Sequence, residues 1–399
     1  MGILATLRGS LVKAFRTLAG RTRSIIRSLR KSPFPLSDRL LADALRIAEI
    51  PSPTAREEQR AAFILERLNL LGLTPKVDED GNIYVRVSCP ESTDTSPILL
   101  FTELSSPRWH PLESLSRLDA HQAYGAGLAD AIGTASLLSV AESMVTGLVA
   151  CGRDLLLLFT VQALDNPESK VFNRLSDEPQ DRPYAALGVR GLSLGTISTR
   201  SLGTYRIEVR VRTDGDSIEA TERPGSAVEA IVALARTLSG VTWDAENKTT
   251  CRIRRIEAGT GFGRNPTEGI LDIELESSDG GVLELAMKAA MATAESKGKE
   301  AKAQTKVTIA GFVPVGDPKA GAGLIKLASQ AIKDHKIRLL EENASDPASF
   351  LSSQGIPAMT IAVSSGREGL NQDEIEIASI ERGRKLLITI VERISAEGV

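Results

Sequence analysis

Histidine and cysteine are scarce in this chain of 399 residues, which has three of each. The cysteines, Cys89, Cys151 and Cys251, are widely spaced and form no C-x-x-C pair. Their spacing excludes a cysteine zinc cluster and predicts reduced thiols in a cytoplasmic protein. None of the histidines stands in an H-E-x-x-H or H-x-D arrangement, so the common local signatures of a zinc site are missing.

The chain also lacks a strong overall charge, with a formal net charge of −3. No global field therefore favours nucleic acid, and we predict no nucleic-acid partner. With 42% apolar and 25% charged residues, the chain can bury a large core. Its length predicts two or three domains.

Acidic residues are absent from the N-terminal arm, residues 1–37, which carries eight basic residues. Its apolar residues recur at three- and four-residue steps and are Leu4, Leu7, Leu11, Phe15 and Leu18. This pattern is typical of an amphipathic helix, and we predict that residues 1–31 bind an anionic membrane surface peripherally. The apolar runs are too short for a spanning segment or a signal peptide. Docking on the protein's own fold or on a partner, a transit peptide, and a myristoylation motif at Met1–Thr6 stay open as alternatives.

The stretch YGAGLADAIGTA, residues 124–135, places Asp130 between glycine turns and an apolar helix. One interpretation is that Asp130 caps this helix; another is that it belongs to a functional site. A phosphate-binding G-x-G-x-x-G is a weaker match, because the third glycine is missing.

Several segments resemble the M20 family of zinc peptidases and deacylases. The opening IAEIPSPTAREEQRAAFILERLNLLGLTPKVDEDGNIYVRV is similar to that of the family, and there we expect Glu57 to complete a capping box with Thr54. Over 40–394 the resemblance implies an α/β fold with a mostly parallel, helix-flanked, zinc-exopeptidase-like sheet and an inserted α+β ferredoxin-like lid domain. The implied domains are 38–202 with 310–399, and the lid at 203–309, which we predict from its β-α-β-β-α-β order.

At the family's metal-site positions this chain departs from the pattern, and only Asp130 matches a family ligand, an aspartate that bridges two metal ions. Glu103 and Arg190 stand at lost ligand positions, and Ser105 replaces a supporting aspartate. At the general-base position the chain offers Gln162 and Ala163, which cannot be deprotonated near neutral pH.

The remaining family positions depart in the same way. Leu370 replaces the last histidine ligand, while Asp373 and Glu374 remain and fit a cap on the last helix. In the lid, Asp216 stands where the family has a histidine that reaches across the dimer interface.

These departures lead to a hypothesis of a non-catalytic, binding or regulatory M20-like protein without a cofactor. Its predicted ligand cleft contains Glu103, Asp130, Asp216 and Asp346 and would take a peptide or an N-acyl amino acid. The resemblance also implies a homodimer formed through the lid. We place the protein in the cytoplasm, in part peripherally on the membrane.

Two alternatives remain open. The first is an active metal-dependent peptidase or amidohydrolase whose site is rebuilt from Glu103, Asp130, Asp165 or Glu368. Oxygen ligands of this kind suit Mg²⁺, Ca²⁺ or Mn²⁺ better than Zn²⁺. The second alternative is a membrane-tethered scaffold.

Overall fold

The computed structural model describes residues 33–90, 92, 96–106, 115–149, 151–161, 170–178, 181–213, 226–259, 261–262, 266–369 and 371–399. Residues 1–32 and the predicted site residues Gln162, Ala163, Asp165, Asp216 and Leu370 lie outside these ranges. What the sequence predicts for them stays a prediction.

The secondary structure alternates between strands and helices along most of the chain. In chain order the described strands are β1 (Lys76–Val77), β2 (Ile83–Val87), β3 (Ile98–Glu103), β4 (Arg117–Leu118), β5 (Gln122–Gly125), β6 (Leu155–Thr160), β7 (Ala185–Leu192), β8 (Thr196–Ser201), β9 (Gly203–Arg212), β10 (Thr250–Ala258), β11 (Glu268–Ser277), β12 (Gln304–Val313), β13 (Leu340–Ala344), β14 (Ala358–Ser364), β15 (Gly366–Arg367) and β16 (Asp373–Glu376). The described helices are α1 (Leu36–Ala48), α2 (Glu58–Leu70), α3 (Leu128–Val145), α4 (Lys170–Asp177), α5 (Ala227–Ser239), α6 (Gly280–Glu300), α7 (Ala322–Asp334), α8 (Ala348–Ser352) and α9 (Ile377–Glu397).

The large central sheet has the strand order β1-β2-β6-β3-β7-β14-β8-β13. Its inner strands β6, β3, β7 and β14 run parallel, while β2 joins β6 antiparallel. All six residues of β6 are buried, as expected for a strand covered on both faces. The predicted mostly parallel sheet is confirmed.

Side chains alternate between two cores on opposite faces of this sheet. Leu100 and Leu157 pack with α1, α2, α3, α7 and α9, whereas Phe101 and Leu158 pack with α4 and α8. Helix α3 is long and apolar enough to span a membrane, but 83% of it is buried inside the protein. We interpret it as the core helix of the main sheet, because burial on all sides explains an apolar helix in a globular protein.

An inserted unit follows β8 and contains β9, α5, β10, β11, α6 and β12 in that order. Its antiparallel sheet has the order β10-β11-β9-β12, and its helices cover one face to form a separate core. Ser226 caps α5 by accepting a hydrogen bond from the Glu229 N–H, and Asp279 caps α6 by accepting one from the Val282 N–H. The predicted β-α-β-β-α-β order of the insertion is confirmed.

Candidate functional site

Asp130 lies in the first turn of α3, which begins just after Gly127. Gly127 has φ +66°, and a Cβ added there would lie 2.3 Å from the Ser106 hydroxyl oxygen. The position therefore favours glycine for its conformation and for the space it leaves. Ser106 Oγ donates a 2.9 Å hydrogen bond to Asp130 Oδ2. The interpretation of Asp130 as the helix cap is wrong, because Gly127 occupies that position and Asp130 turns toward the end of β3.

Asp373 caps α3 from a distant part of the chain. Its buried carboxylate, on β16, accepts a 3.0 Å hydrogen bond from the Ala129 N–H. An anion at the N-terminus of a helix is stabilised by unpaired N–H groups and by the helix dipole. The predicted role of Asp373 as a cap for the last helix is wrong, since that helix, α9, begins after Glu376.

A cleft of about 460 Å³ opens at the end of β3 and beside the first turn of α3. The ionisable residues that line it are Glu103, Asp130, Arg190, Glu342, Asp346 and Glu368. Clefts at the carboxyl ends of parallel strands are common ligand sites in α/β proteins. The structure thus places Glu103, Asp130, Arg190 and Asp346 in one cavity, although they are far apart in the sequence.

Five of the six ionisable residues that line the cleft are acidic, and the sixth is Arg190. Arg190 Nη2 on β7 lies 2.5 Å from Glu342 Oε1 on β13, the edge strand of the main sheet. Burial raises the pKa of Glu103 to about 7; the negative charges of Asp130 and Asp346 add to this, and Arg206 on β9 opposes it. Burial also raises the pKa of Asp346, whose Oδ1 accepts a 2.8 Å hydrogen bond from the Ala348 N–H at the start of α8.

The raised pKa of Glu103 predicts a pH-dependent effect of Glu103→Gln. The folded protein holds this proton up to about pH 7, whereas a glutamate in an unfolded chain has a pKa of about 4.3. The wild type therefore loses stability as the pH rises between these values. At pH 8 the Glu103→Gln substitution is expected to raise the free energy of unfolding by on the order of 2 kcal/mol. This is less than the free energy that corresponds to the whole pKa shift, because Glu103 is partly exposed and solvent screens its charge.

Denaturant unfolding of wild type and Glu103→Gln at pH 5 and pH 8 measures this effect. The exposed Glu341 on β13 provides the control, and Glu341→Gln is expected to change stability little at either pH. A Glu103→Gln effect of equal size at both pH values would contradict the prediction.

The described residues do not fit the two-metal site that the family resemblance implies. Among them, no group of three or more histidine, cysteine, aspartate or glutamate side chains is placed to hold a metal ion. The donors at hand are carboxylate oxygens, and the Arg190 cation lines the same cleft. A nitrogen-rich zinc site therefore has no counterpart in the described part of the chain.

Two buried charged residues that contact the segment after β3 were not predicted from the sequence. Helix α2 begins at Glu58, and Glu57 makes no side-chain cap there, so the predicted capping box is wrong. Instead Glu57 Oε1 accepts a 2.6 Å hydrogen bond from the Ser105 hydroxyl. Arg60, one turn further along α2, is fully buried. Neither residue differs by type or spacing from the charged residues of an ordinary solvent-exposed helix face.

No family model and no curated protein sequence matches this chain. Solved structures do match it. A tripeptidase from Staphylococcus aureus is 18% identical with a TM-score of 0.68, over 90% of this chain and 98% of that one. A hydantoinase/carbamoylase-family amidase from Burkholderia vietnamiensis is 14% identical with a TM-score of 0.68, over 91% of this chain and 98% of that one.

A third structure is described as a dinuclear metal-binding peptidase of the M20 family, the YxeP protein of Bacillus subtilis. It is 13% identical, with a TM-score of 0.60, and the match covers 91% of this chain and 99% of that one. At these identities a structural match shows the fold, whereas the activity has to be inferred from the residues of the site. The chain has the mixed α/β fold of M20 peptidase structures, with a large, mostly parallel central sheet flanked by helices.

Proposed function

We propose that this protein is a non-catalytic member of the M20 fold group that binds a ligand in the cleft beside Asp130. The observation that carries the proposal is the make-up of this cleft, where Arg190 pairs with Glu342 and Glu103 is the last residue of β3. A cation in the same cleft as Asp130 opposes a divalent metal ion, and carboxylates alone do not supply the nitrogen ligands of a hydrolytic zinc site. The sequence at Gln162 and Ala163 supports the same conclusion, because neither residue can act as a general base.

The ligand we propose is a short peptide or an N-acyl amino acid. The Staphylococcus aureus neighbour is described as a tripeptidase and the Burkholderia vietnamiensis neighbour as an amidase, so both act on amide bonds. A cavity of about 460 Å³ lies within the range of small-molecule pockets. The polar groups around it, Asp130, Arg190 and Asp346, can hold the amide and charged ends of such a molecule by hydrogen bonds.

The function is tested by metal content, turnover and binding measured on the same preparation. After dialysis against zinc, manganese and magnesium in turn, we expect well below one metal ion per chain and no hydrolysis of dipeptides, tripeptides or N-acyl amino acids. Calorimetric titration with the same compounds is expected to find one that binds. Asp130→Asn should weaken its binding about tenfold or more, the effect of removing a charged hydrogen-bond acceptor.

The exposed Asp177 at the end of α4 provides the matched control, because Asp177→Asn makes the same chemical change away from the cleft. Its ligand affinity should equal that of the wild type. Stoichiometric metal with turnover that Asp130→Ala abolishes would overturn the proposal.

An active hydrolase with a rebuilt oxygen-ligand site is the second candidate. The observation in its favour is that Glu103, Asp130 and Glu368 line one cleft, since carboxylates are the preferred ligands of Mn²⁺ and Mg²⁺. Turnover that requires added Mn²⁺ or Mg²⁺ and is lost in Asp130→Ala would support this candidate.

A further inference from the structure

Helix α2 carries a fully buried arginine, Arg60, which contacts Leu104, the residue between the cleft residues Glu103 and Ser105. Arg60 Nη1 donates a 2.8 Å hydrogen bond to the Leu104 carbonyl oxygen, and Nη2 donates a 3.0 Å bond to the Ile50 carbonyl oxygen. Both acceptors are neutral, so these bonds satisfy donors without balancing the charge. A buried guanidinium is costly unless negative charges lie near it.

Arg60 supports the segment Leu104–Ser106, which directly follows β3 and faces Asp130. Ser52 Oγ donates a 2.8 Å bond to the same Leu104 carbonyl, and the Ser106 N–H donates a 2.7 Å bond to the Ser52 carbonyl. Ser106 Oγ in turn donates to Asp130 Oδ2. Arg60 is thus connected to Asp130 through one short stretch of backbone.

The charge of Arg60 is balanced by two acidic residues, of which Asp130 lines the cleft and Glu57 directly precedes α2. Burial lowers the pKa of Arg60 to about 10, while the negative charge of Asp130, and after it that of Glu57, opposes this change. Asp130, which lines the cleft, therefore helps to balance a cation that is shielded from solvent. In such surroundings the interaction between charges is less screened than at the surface.

We propose that Arg60 is a positioning residue that supplies an internal positive charge to Asp130 and thereby keeps divalent cations off the cleft floor. It holds the segment after β3 by hydrogen bonds and Asp130 by charge. A divalent cation bound at Asp130 would be repelled by the buried charge of Arg60 and by that of Arg190, which lines the cleft. The inference rests on the proposed function in that it explains how the cleft stays free of a catalytic metal.

The test is to titrate four proteins with Mn²⁺ and to detect its binding by electron paramagnetic resonance. The proteins are the wild type, Arg60→Met, Arg60→Gln and Arg60→Lys. The glutamine variant keeps a hydrogen-bond donor without the charge, and the lysine variant keeps the charge. We expect the wild type to show no saturable Mn²⁺ binding at Asp130 over the range of the titration. Both neutral variants should bind Mn²⁺ there at least about tenfold more tightly than the limit set by the wild type, because a repelling charge has been removed. Arg60→Lys should remain like the wild type, and adding Asp130→Ala to a neutral variant should abolish the gain.

A folded neutral variant with wild-type Mn²⁺ affinity would overturn the proposal. So would saturable Mn²⁺ binding by the wild type that Asp130→Ala removes, a measurement that holds even if neither neutral variant folds. The outcomes also separate this proposal from the proposed function. Metal-loaded wild type without turnover overturns the role of Arg60 alone, whereas turnover without metal overturns the non-catalytic function alone.

Discussion

Replacing Gly191 with alanine is expected to lower the free energy of unfolding by about 3 kcal/mol or more. A Cβ at this position of β7 would lie 2.0 Å from the Ala129 carbonyl oxygen and 2.8 Å from its carbonyl carbon. These are backbone atoms of the first turn of α3, so they cannot yield by a change of rotamer. The methyl group must push α3 away from the sheet, which also separates Asp130 from Arg190.

Equilibrium denaturation followed by circular dichroism measures the effect. Gly280, the first residue of α6, is the matched control, since the nearest atom to an added Cβ is 4.0 Å away. Gly280→Ala is therefore expected to stay within about 0.5 kcal/mol of the wild type. If Gly191→Ala proves as stable as Gly280→Ala, the close packing of α3 on β7 is not what sets the geometry of the cleft.

Asp373→Ala is expected to cost about 2 to 4 kcal/mol of unfolding free energy. The change removes a buried carboxylate that accepts a hydrogen bond from the Ala129 N–H, and it leaves this N–H without that acceptor at the positive end of α3. Asp373→Asn should cost less, because an amide oxygen can still accept the bond while the charge is lost. Denaturant unfolding of the two variants under the same conditions measures both free energies of unfolding and tests whether Asp373→Ala is the less stable variant.

Glu374, the next residue, provides the control for Asp373. It pairs with Arg367 across β15 and β16, and the two side chains are 37% and 75% exposed. Exposed ion pairs contribute little to the free energy of unfolding, so Glu374→Ala should change it by about 0.5 kcal/mol or less. Equal costs for Asp373→Ala and Glu374→Ala would show that the carboxylate of Asp373 does not hold the start of α3.

Much of the fold was predictable because its signals are local. Continuous apolar runs followed by amphipathic helices indicated the parallel sheet, and the strand β6 lies where DLLLLFTV predicts it. The β-α-β-β-α-β order of the insertion followed from alternation within single elements. Periodicity of this kind depends on neighbouring residues, so it can be recognised without knowing how the elements pack.

The capping roles were not predictable from the same local signals. Glu57 matched a capping box at a spacing of three residues, yet its carboxylate accepts from Ser105, which lies 48 positions away. Asp373 stands just before the last helix in sequence, yet it caps α3 across 244 positions. In both cases a buried donor elsewhere in the fold competes with the local one, and satisfying it avoids a larger free-energy cost.

Some features of the candidate site were predictable from the sequence, and others required the tertiary structure. The residue types at Glu103, Asp130 and Arg190 could be read from the sequence, and with them the departure from a zinc site. Their common cleft, the pairing of Arg190 with Glu342 and the buried charge of Arg60 became apparent once the sheet order and the packing of α2 and α3 were known. Electrostatic interactions depend on distance in space and on burial, and residues far apart along the chain acquire both when the elements assemble.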